Sequence, residues 1–283
     1  MSYARVLALT ALTMVAFAGN SLLCRAALKA SHVDAASFTT IRLITGALVL
    51  WLIVKIRQGA HSGKGSWRSA VALFIYAAGF SYAYLSLSAS TGALLLFGAV
   101  QATMIGYGIW SGEHLRAIQL AGLLLAFAGL IGLLLPGVTA PPLIGSSLML
   151  GAGVAWGVYS LRGRGAGNPI AITAGNFLRT VPIAIVLSAL AFNGISMDAS
   201  GIGYAVASGA LASGLGYAIW YTVLPALKAT SAATVQLSVP VIAALGGVLL
   251  LGEHISLRLV LASIAILGGI ALVILEKRSA GSR

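Results

Sequence analysis

Acidic residues are almost missing from this chain: five Asp and Glu stand against 17 Lys and Arg among 283 residues, and charge of both signs makes up only 8%. An average soluble domain is roughly a quarter charged, so a water-soluble fold could not cover itself with this composition. The single cysteine, Cys24, excludes an intramolecular disulfide and a thiolate metal cage. The acids Asp34, Glu113, Asp198, Glu253 and Glu276, like His32, His61, His114 and His254, fall at the edges of long apolar runs or between them. Paired carboxylates, an activated nucleophile or a metal-ligand set are therefore not expected inside those runs, and the segments between them are too short for a separate catalytic domain. Neither an enzyme nor a cofactor or metal is expected. The net charge of +12 would suggest a nucleic-acid partner in a soluble chain. Here the basic residues sit between apolar runs, so the expected partner is a lipid bilayer and not nucleic acid.

What the chain does contain is apolar: 59% of its residues are hydrophobic. A bilayer core about 30 Å thick takes about 20 apolar residues per helix, because each segment must satisfy its own backbone polar groups. Ten spans are predicted: Val6 to Leu28, Ala36 to Ile56, Ser69 to Ser88, Thr91 to Ser111, Arg116 to Leu135, Leu143 to Leu161, Ile170 to Phe192, Ser200 to Leu224, Thr230 to Leu251 and Leu257 to Leu275. The first run lacks a small-residue cleavage pattern and reads as a retained span, and Leu23 before Cys24 argues against lipid attachment there.

Alternating the loops between two sides gathers Arg5, Lys55, Arg57, Lys64, Arg68, Arg116, Arg162, Arg164, Lys228, Lys277, Arg278 and Arg283 on one side. Arg25, Lys29 and Arg258 remain on the other, and Arg42 and Arg179 fall within spans. Basic residues collect in cytoplasmic loops, so both termini are expected in the cytoplasm, with the chain in the inner membrane.

The chain also repeats itself. A shift of about 140 residues carries Gly112, Glu113 and His114 onto Gly252, Glu253 and His254, and Leu87, Ala89 and Thr91 onto Leu227, Ala229 and Ser231. Nearly the same shift pairs Val15, Ala16, Phe17, Ser21 and Arg25 with Val154, Ala155, Trp156, Ser160 and Arg164, and Arg42 with Arg179. Each repeat holds five spans, an odd number, so the second enters the membrane in the opposite sense. Residues 1–140 and 141–283 are thus expected as two inverted five-helix repeats around a central cavity, an all-α polytopic membrane fold suited to alternating access.

Ten spans, the five-plus-five repeat and the Gly-Glu motifs at 112 and 252 resemble the drug/metabolite transporter superfamily in its EamA-type branch. Arg42, Arg179 and the stretch from Pro240 to Glu253 are similar to features of that family. Val100 departs from it, standing where the repeat would place a counterpart of Pro240. The resemblance implies secondary, non-ATP transport of a small molecule, and the aromatic content is most similar to bacterial exporters of aromatic and other amino acids. A multidrug or other small-metabolite exporter of the same superfamily is the nearest alternative, and a passive channel or membrane sensor the alternative outside the carriers.

Residues at i, i+3 and i+4 share a helix face. Phe17, Asn20 and Ser21 do so in span one, and Trp156, Tyr159 and Ser160 match them in span six. Tyr217, Trp220 and Tyr221 add to this from span eight, and Tyr76, Phe80 and Tyr84 from span three. Rings beside hydroxyls and amides suit an amphipathic solute; the competing reading is packing between helices. Gln101, Gln236 and Asn176 are intramembrane amides that need partners, from neighbouring helices or from substrate. Pro240 is expected to bend span nine and free a carbonyl near Gln236. Arg42 is expected to snorkel outward, and Arg179, deeper in its span, to pair with backbone oxygens or a substrate carboxylate. Without a carboxylate or histidine inside the membrane, transport is expected to be facilitative, or coupled through a residue that the sequence does not single out. The Gly-Glu-His pairs read as helix ends, with the acid near the next helix N-terminus, and a gate or proton sensor is the alternative. The pairs Ala128 with Gly132 and Ala265 with Gly269 permit close packing, within the chain or in a homodimer.

Overall fold

In a computed structural model the described residues are 2–58, 65–112, 115–137, 139–163, 168–227, 232 and 235–280, with side chains omitted at 58 and from 275 onward. Glu113, His114, His61, Lys64, Arg164, Lys228, Ala229, Ser231 and Arg283 lie outside them, as do the side chains of Glu276, Lys277 and Arg278. The described residues form helices and no strands: α1 (Tyr3–Ala30), α2 (Ala35–Gln58), α3 (Trp67–Ala83), α4 (Ala89–Trp110), α5 (Ala117–Leu134), α6 (Leu143–Arg162), α7 (Pro169–Leu190), α8 (Ala199–Ala226), α9 (Ser238–Leu251) and α10 (Leu257–Ala280). Polar caps start several of them. Ser88, Asn168 and Asp198 accept the N–H of Thr91, Ala171 and Gly201 respectively.

Eight of these helices are long and apolar enough to cross a membrane; α3, at 17 residues, and α9, at 14, are shorter than their expected spans. In α3 a turn at Tyr84 ends the helix before Ser88. Gln236 is helical, but a turn at Leu237 interrupts the path and α9 begins at Ser238. Pro240 thus lies in a first turn, where a missing N–H costs nothing, and marks a break where a bend was expected. An unexpected departure occurs in α8, whose stretch Ser208–Leu215 is π-helical. Large apolar side chains such as Leu124, Leu249 and Ile264 are exposed, which a soluble surface would not tolerate over so wide an area but lipid favours.

The principal pairings are α5 with α10, α2 with α7, α4 with α9, α3 with α6, α1 with α8, α4 with α6, α1 with α9, α2 with α8 and α3 with α7. Exchanging α1 to α5 for α6 to α10 in order leaves this set unchanged. The α5–α10 contact is close because a Cβ on Gly122 would stand 2.6 Å from the Gly269 carbonyl oxygen. Gly269 and Ala265 therefore serve packing inside the chain, whereas Gly132 has open space beside it.

Alternate connections meet at one end. The Asp34 carboxylate accepts the N–H groups of Ser37 and Ser196 at 2.9 and 3.0 Å, and Asp198 accepts the N–H of His32. Burial pushes the Asp34 carboxyl up, but these bonds, with the Ser37 hydroxyl and the Ala36 N–H, outweigh it and hold the group below the usual carboxylate range. The Ser200 hydroxyl, and then the backbone donors, hold Asp198 down in the same way.

Candidate functional site

Five helices bring aromatic side chains to a cavity in the bundle interior. Phe17 and Asn20 come from α1, Tyr76 and Phe80 from α3, Phe97 from α4, Trp156 from α6, and Ser213 and Tyr217 from α8; Gln236 closes the ring. The spacings i, i+3 and i, i+4 place each pair on one helix face. The rings touch one another: Trp156 lies 4.7 Å from Tyr76 and 5.2 Å from Tyr217 between centroids, and Phe17 lies 5.8 Å from Tyr217. The cavity measures about 30 Å³, room for a water or two and for nothing the size of a metabolite.

A hydrogen-bond chain fixes one wall. The Ser208 hydroxyl donates to Asn20 Oδ1 at 2.6 Å, and Asn20 Nδ2 donates to the Tyr76 hydroxyl at 3.2 Å. Ser208 opens the π-helical stretch, which also supplies Ala212 and Ser213 to the cavity lining. Such stretches recur at functional sites because they re-aim side chains and leave carbonyls short of partners.

Arg42 overturns its sequence reading. Rather than snorkelling outward it is 1% exposed, and its Nε and Nη1 are buried without a hydrogen-bond partner among the described residues. Its guanidinium carbon lies 4.9 Å from the Phe80 ring centroid and 5.3 Å from that of Tyr76, both rings of the cavity wall. The physical reason is that Thr39, Arg42 and Thr45 form a polar stripe on α2 that turns toward α3 and α8. Thr39 bonds Ser81 at 2.8 Å, and Gly209 of α8 packs against the backbone of Arg42. Each cation–π contact is worth about 2 kcal/mol or somewhat more when desolvated. Taking an arginine out of water costs several kcal/mol, and each unmet N–H adds about 1–3. The rings offset only part of that cost.

Arg179 is the milder case: half-buried, it donates through Nη1 to the Gly175 carbonyl at 2.9 Å, a backbone partner one turn back. Tyr159, Asn176 and Tyr221 line a separate pocket of about 20 Å³ with Ser69, Arg162 and Thr173. There Asn176 donates to the Tyr159 hydroxyl and accepts the N–H of Ser66. The remaining expected residues are not among those lining the aromatic cavity. Gln101 and Ser21 are buried elsewhere, and Ser160 is half-buried. Trp220 packs on Phe17 at 6.0 Å. Tyr84 stacks edge-on against Phe80, 4.8 Å away, and its ring fills the space a Cβ on Gly92 would take.

Glu253 also departs from expectation. Gly252 caps α9 at φ 61°, and the Glu253 N–H returns to the Gly247 carbonyl. The Glu253 carboxylate, however, serves another helix than the one that follows it. It accepts the Ala89 N–H at the start of α4 at 2.9 Å and pairs with Arg25 Nε at 3.2 Å. Arg25 donates further to the Tyr84 carbonyl, and Lys29 to that of Leu251. This network ties α1, the α3–α4 corner and the α9–α10 corner together at one end of the bundle.

A bundle of apolar helices with a lipid-compatible surface and a polar, aromatic interior is the architecture of a multi-pass membrane transporter. The EamA-like transporter family matches residues 143–275, from the first residue of α6 into α10. The chain belongs to this family, within the drug/metabolite transporter superfamily. It is 57% identical over 281 residues to an uncharacterized protein of Pseudomonas aeruginosa, covering 99% of this chain and 98% of that one. It is 28% identical over 169 residues to an uncharacterized transporter of Archaeoglobus fulgidus, covering 58% of this chain and 60% of that protein. A solved crystal structure superimposes with a TM-score of 0.70 at 19% identity, covering 99% of each chain, which shows a shared fold.

Proposed function

We propose that this transporter is a secondary carrier that exports amino acids, aromatic ones included, across the inner membrane with both termini in the cytoplasm. Residues 1–140 and 141–283 act as inverted repeats that open the central cavity to either side in turn. One observation carries the substrate class: the rings of Phe17, Tyr76, Trp156 and Tyr217 stand in the same wall as the Asn20 and Gln236 amides. Rings bind an aromatic side chain, and amides and hydroxyls orient its polar end.

Counterflow in reconstituted vesicles tests this reading. Labelled phenylalanine should accumulate against unlabelled phenylalanine, tyrosine or tryptophan inside, with saturation and mutual competition. Flux without saturation would make the protein a channel, and binding without flux a sensor. Among the described residues, the cavity lining holds no acid and no histidine, which supports facilitative transport. An imposed pH gradient should leave flux unchanged, and proton movement in fixed ratio to substrate would overturn that part.

A further inference from the structure

We propose that Arg42 is the anion-binding residue of the carrier site and takes the carboxylate of the transported solute. The proposal rests on the amino-acid reading for the identity of that solute, but not for the chemistry of the guanidinium. Arg42 has two N–H-bearing nitrogens, Nε and Nη1, buried without a partner among the described residues. The acids whose side chains are described are all engaged at one end of the bundle: Asp34 with Ser37 and Ser196, Asp198 with Ser200 and Gly201, Glu253 with Arg25 and Ala89. A guanidinium presents a planar fork of donors that matches a carboxylate with two parallel bonds. The rings of Tyr76 and Phe80 hold the cation while Nε and Nη1 stay without a partner among the described residues.

The position suits the role. Tyr76 and Phe80 line the cavity and hold the guanidinium carbon 5.3 and 4.9 Å from their ring centroids, so the charge lies one ring away from the space proposed for the solute. Among the described residues, no carboxylate lines the cavity to receive an ammonium group. The site therefore recognises the acid end and the apolar body of its ligand more strongly than the amine. Carboxylates carrying an aromatic body should bind even without an amino group, and aromatic amines should not.

The test is thermal stabilisation of the detergent-purified protein by three probes: L-phenylalanine, 3-phenylpropanoate, which lacks the amine, and phenethylamine, which lacks the carboxylate. Wild type should be stabilised by the first two and not by the third. In Arg42→Gln the apparent Kd for 3-phenylpropanoate should rise at least tenfold, with Arg42→Lys between the two because an ammonium cannot offer the paired donors. If Arg42→Gln does not fold, Arg42→Lys carries the comparison. Unchanged 3-phenylpropanoate binding in the folded variant, or stabilisation of wild type by phenethylamine as strong as by 3-phenylpropanoate, overturns the assignment. So does a wild type that neither carboxylate stabilises. If 3-phenylpropanoate binds through Arg42 while L-phenylalanine does not, the guanidinium assignment stands and the amino-acid reading falls.

Discussion

At the scale of single residues, the interior is governed by which polar groups have partners. Trp156 contacts Tyr76, Tyr159 and Tyr217 in one layer, and its removal opens the space where an aromatic solute would stack. Trp156→Ala should lower transport of aromatic amino acids about tenfold, roughly 1.4 kcal/mol of binding, while leaving membrane insertion and size-exclusion behaviour intact. Normal kinetics in the folded variant would remove Trp156 from the site. Asp34 makes a different kind of prediction. Its depressed carboxyl contributes stability above the unfolded value near 3.9, and that contribution is lost as pH falls through the lower folded value. Asp34→Asn should therefore lower the melting temperature at pH 6, with the gap from wild type closing as the pH falls below about 4. A gap that is constant from pH 6 to 3 would show that the lost charge is not the cause.

Helices reveal what a linear pattern can and cannot carry. The apolar runs locate nearly every helix, because their length and composition are local properties, and the i, i+4 faces of α1, α3 and α8 locate Phe17, Tyr76, Phe80 and Tyr217. Depth and facing are not local. Arg42 lies seven residues beyond the start of α2 at Ala35, and distance along the helix suggested an escape to the surface. The signal that points inward is the stripe Thr39, Arg42, Thr45, legible only when the small and polar residues of α2 are read as one face. Tyr84 shares a face with Phe80, yet the helix ends there and turns the ring onto Gly92. The π-helical stretch of α8 has no hydrophobic signature, although its small residues, Ser208, Gly209, Ala210, Ala212, Ser213 and Gly214, interrupted only by the outward-facing Leu211, permit the close approach it makes. Gly209 is the tightest point: an added Cβ would collide with the Thr45 hydroxyl and the Arg42 carbonyl. Gly209→Leu should separate α8 from α2, lowering the melting temperature by several degrees and abolishing transport, whereas Gly203→Leu, on the same helix with open space beside it, should do neither. Equal loss in both variants would point to helix insertion and not to this contact.

At the scale of the whole molecule, a carrier must keep its cavity from opening at both ends together, so some contact must close one end firmly and yet be able to release. The network of Arg25, Glu253, the Ala89 N–H and the Tyr84 carbonyl is placed to do this, because it binds three corners of the bundle through one carboxylate. Removing one partner of such a buried pair typically costs about 3–5 kcal/mol, most of it the stranded opposite charge. Much of that cost is relieved if the end opens to water, so Glu253→Gln should shift the population toward conformations open at this end. The chain carries its own reporter. Cys24, its single cysteine, is fully buried one residue before Arg25, and a thiol reagent reaches it only when that end parts. In intact cells a membrane-impermeant maleimide should label Cys24 slowly in wild type and at least tenfold faster in Glu253→Gln, and excess substrate should alter the wild-type rate by changing how often that end opens. Equal rates in wild type and variant would mean that the network holds the corners together without governing access. Acceleration seen only in inside-out vesicles would place this end of the bundle on the cytoplasmic side, reversing the orientation drawn from the basic residues.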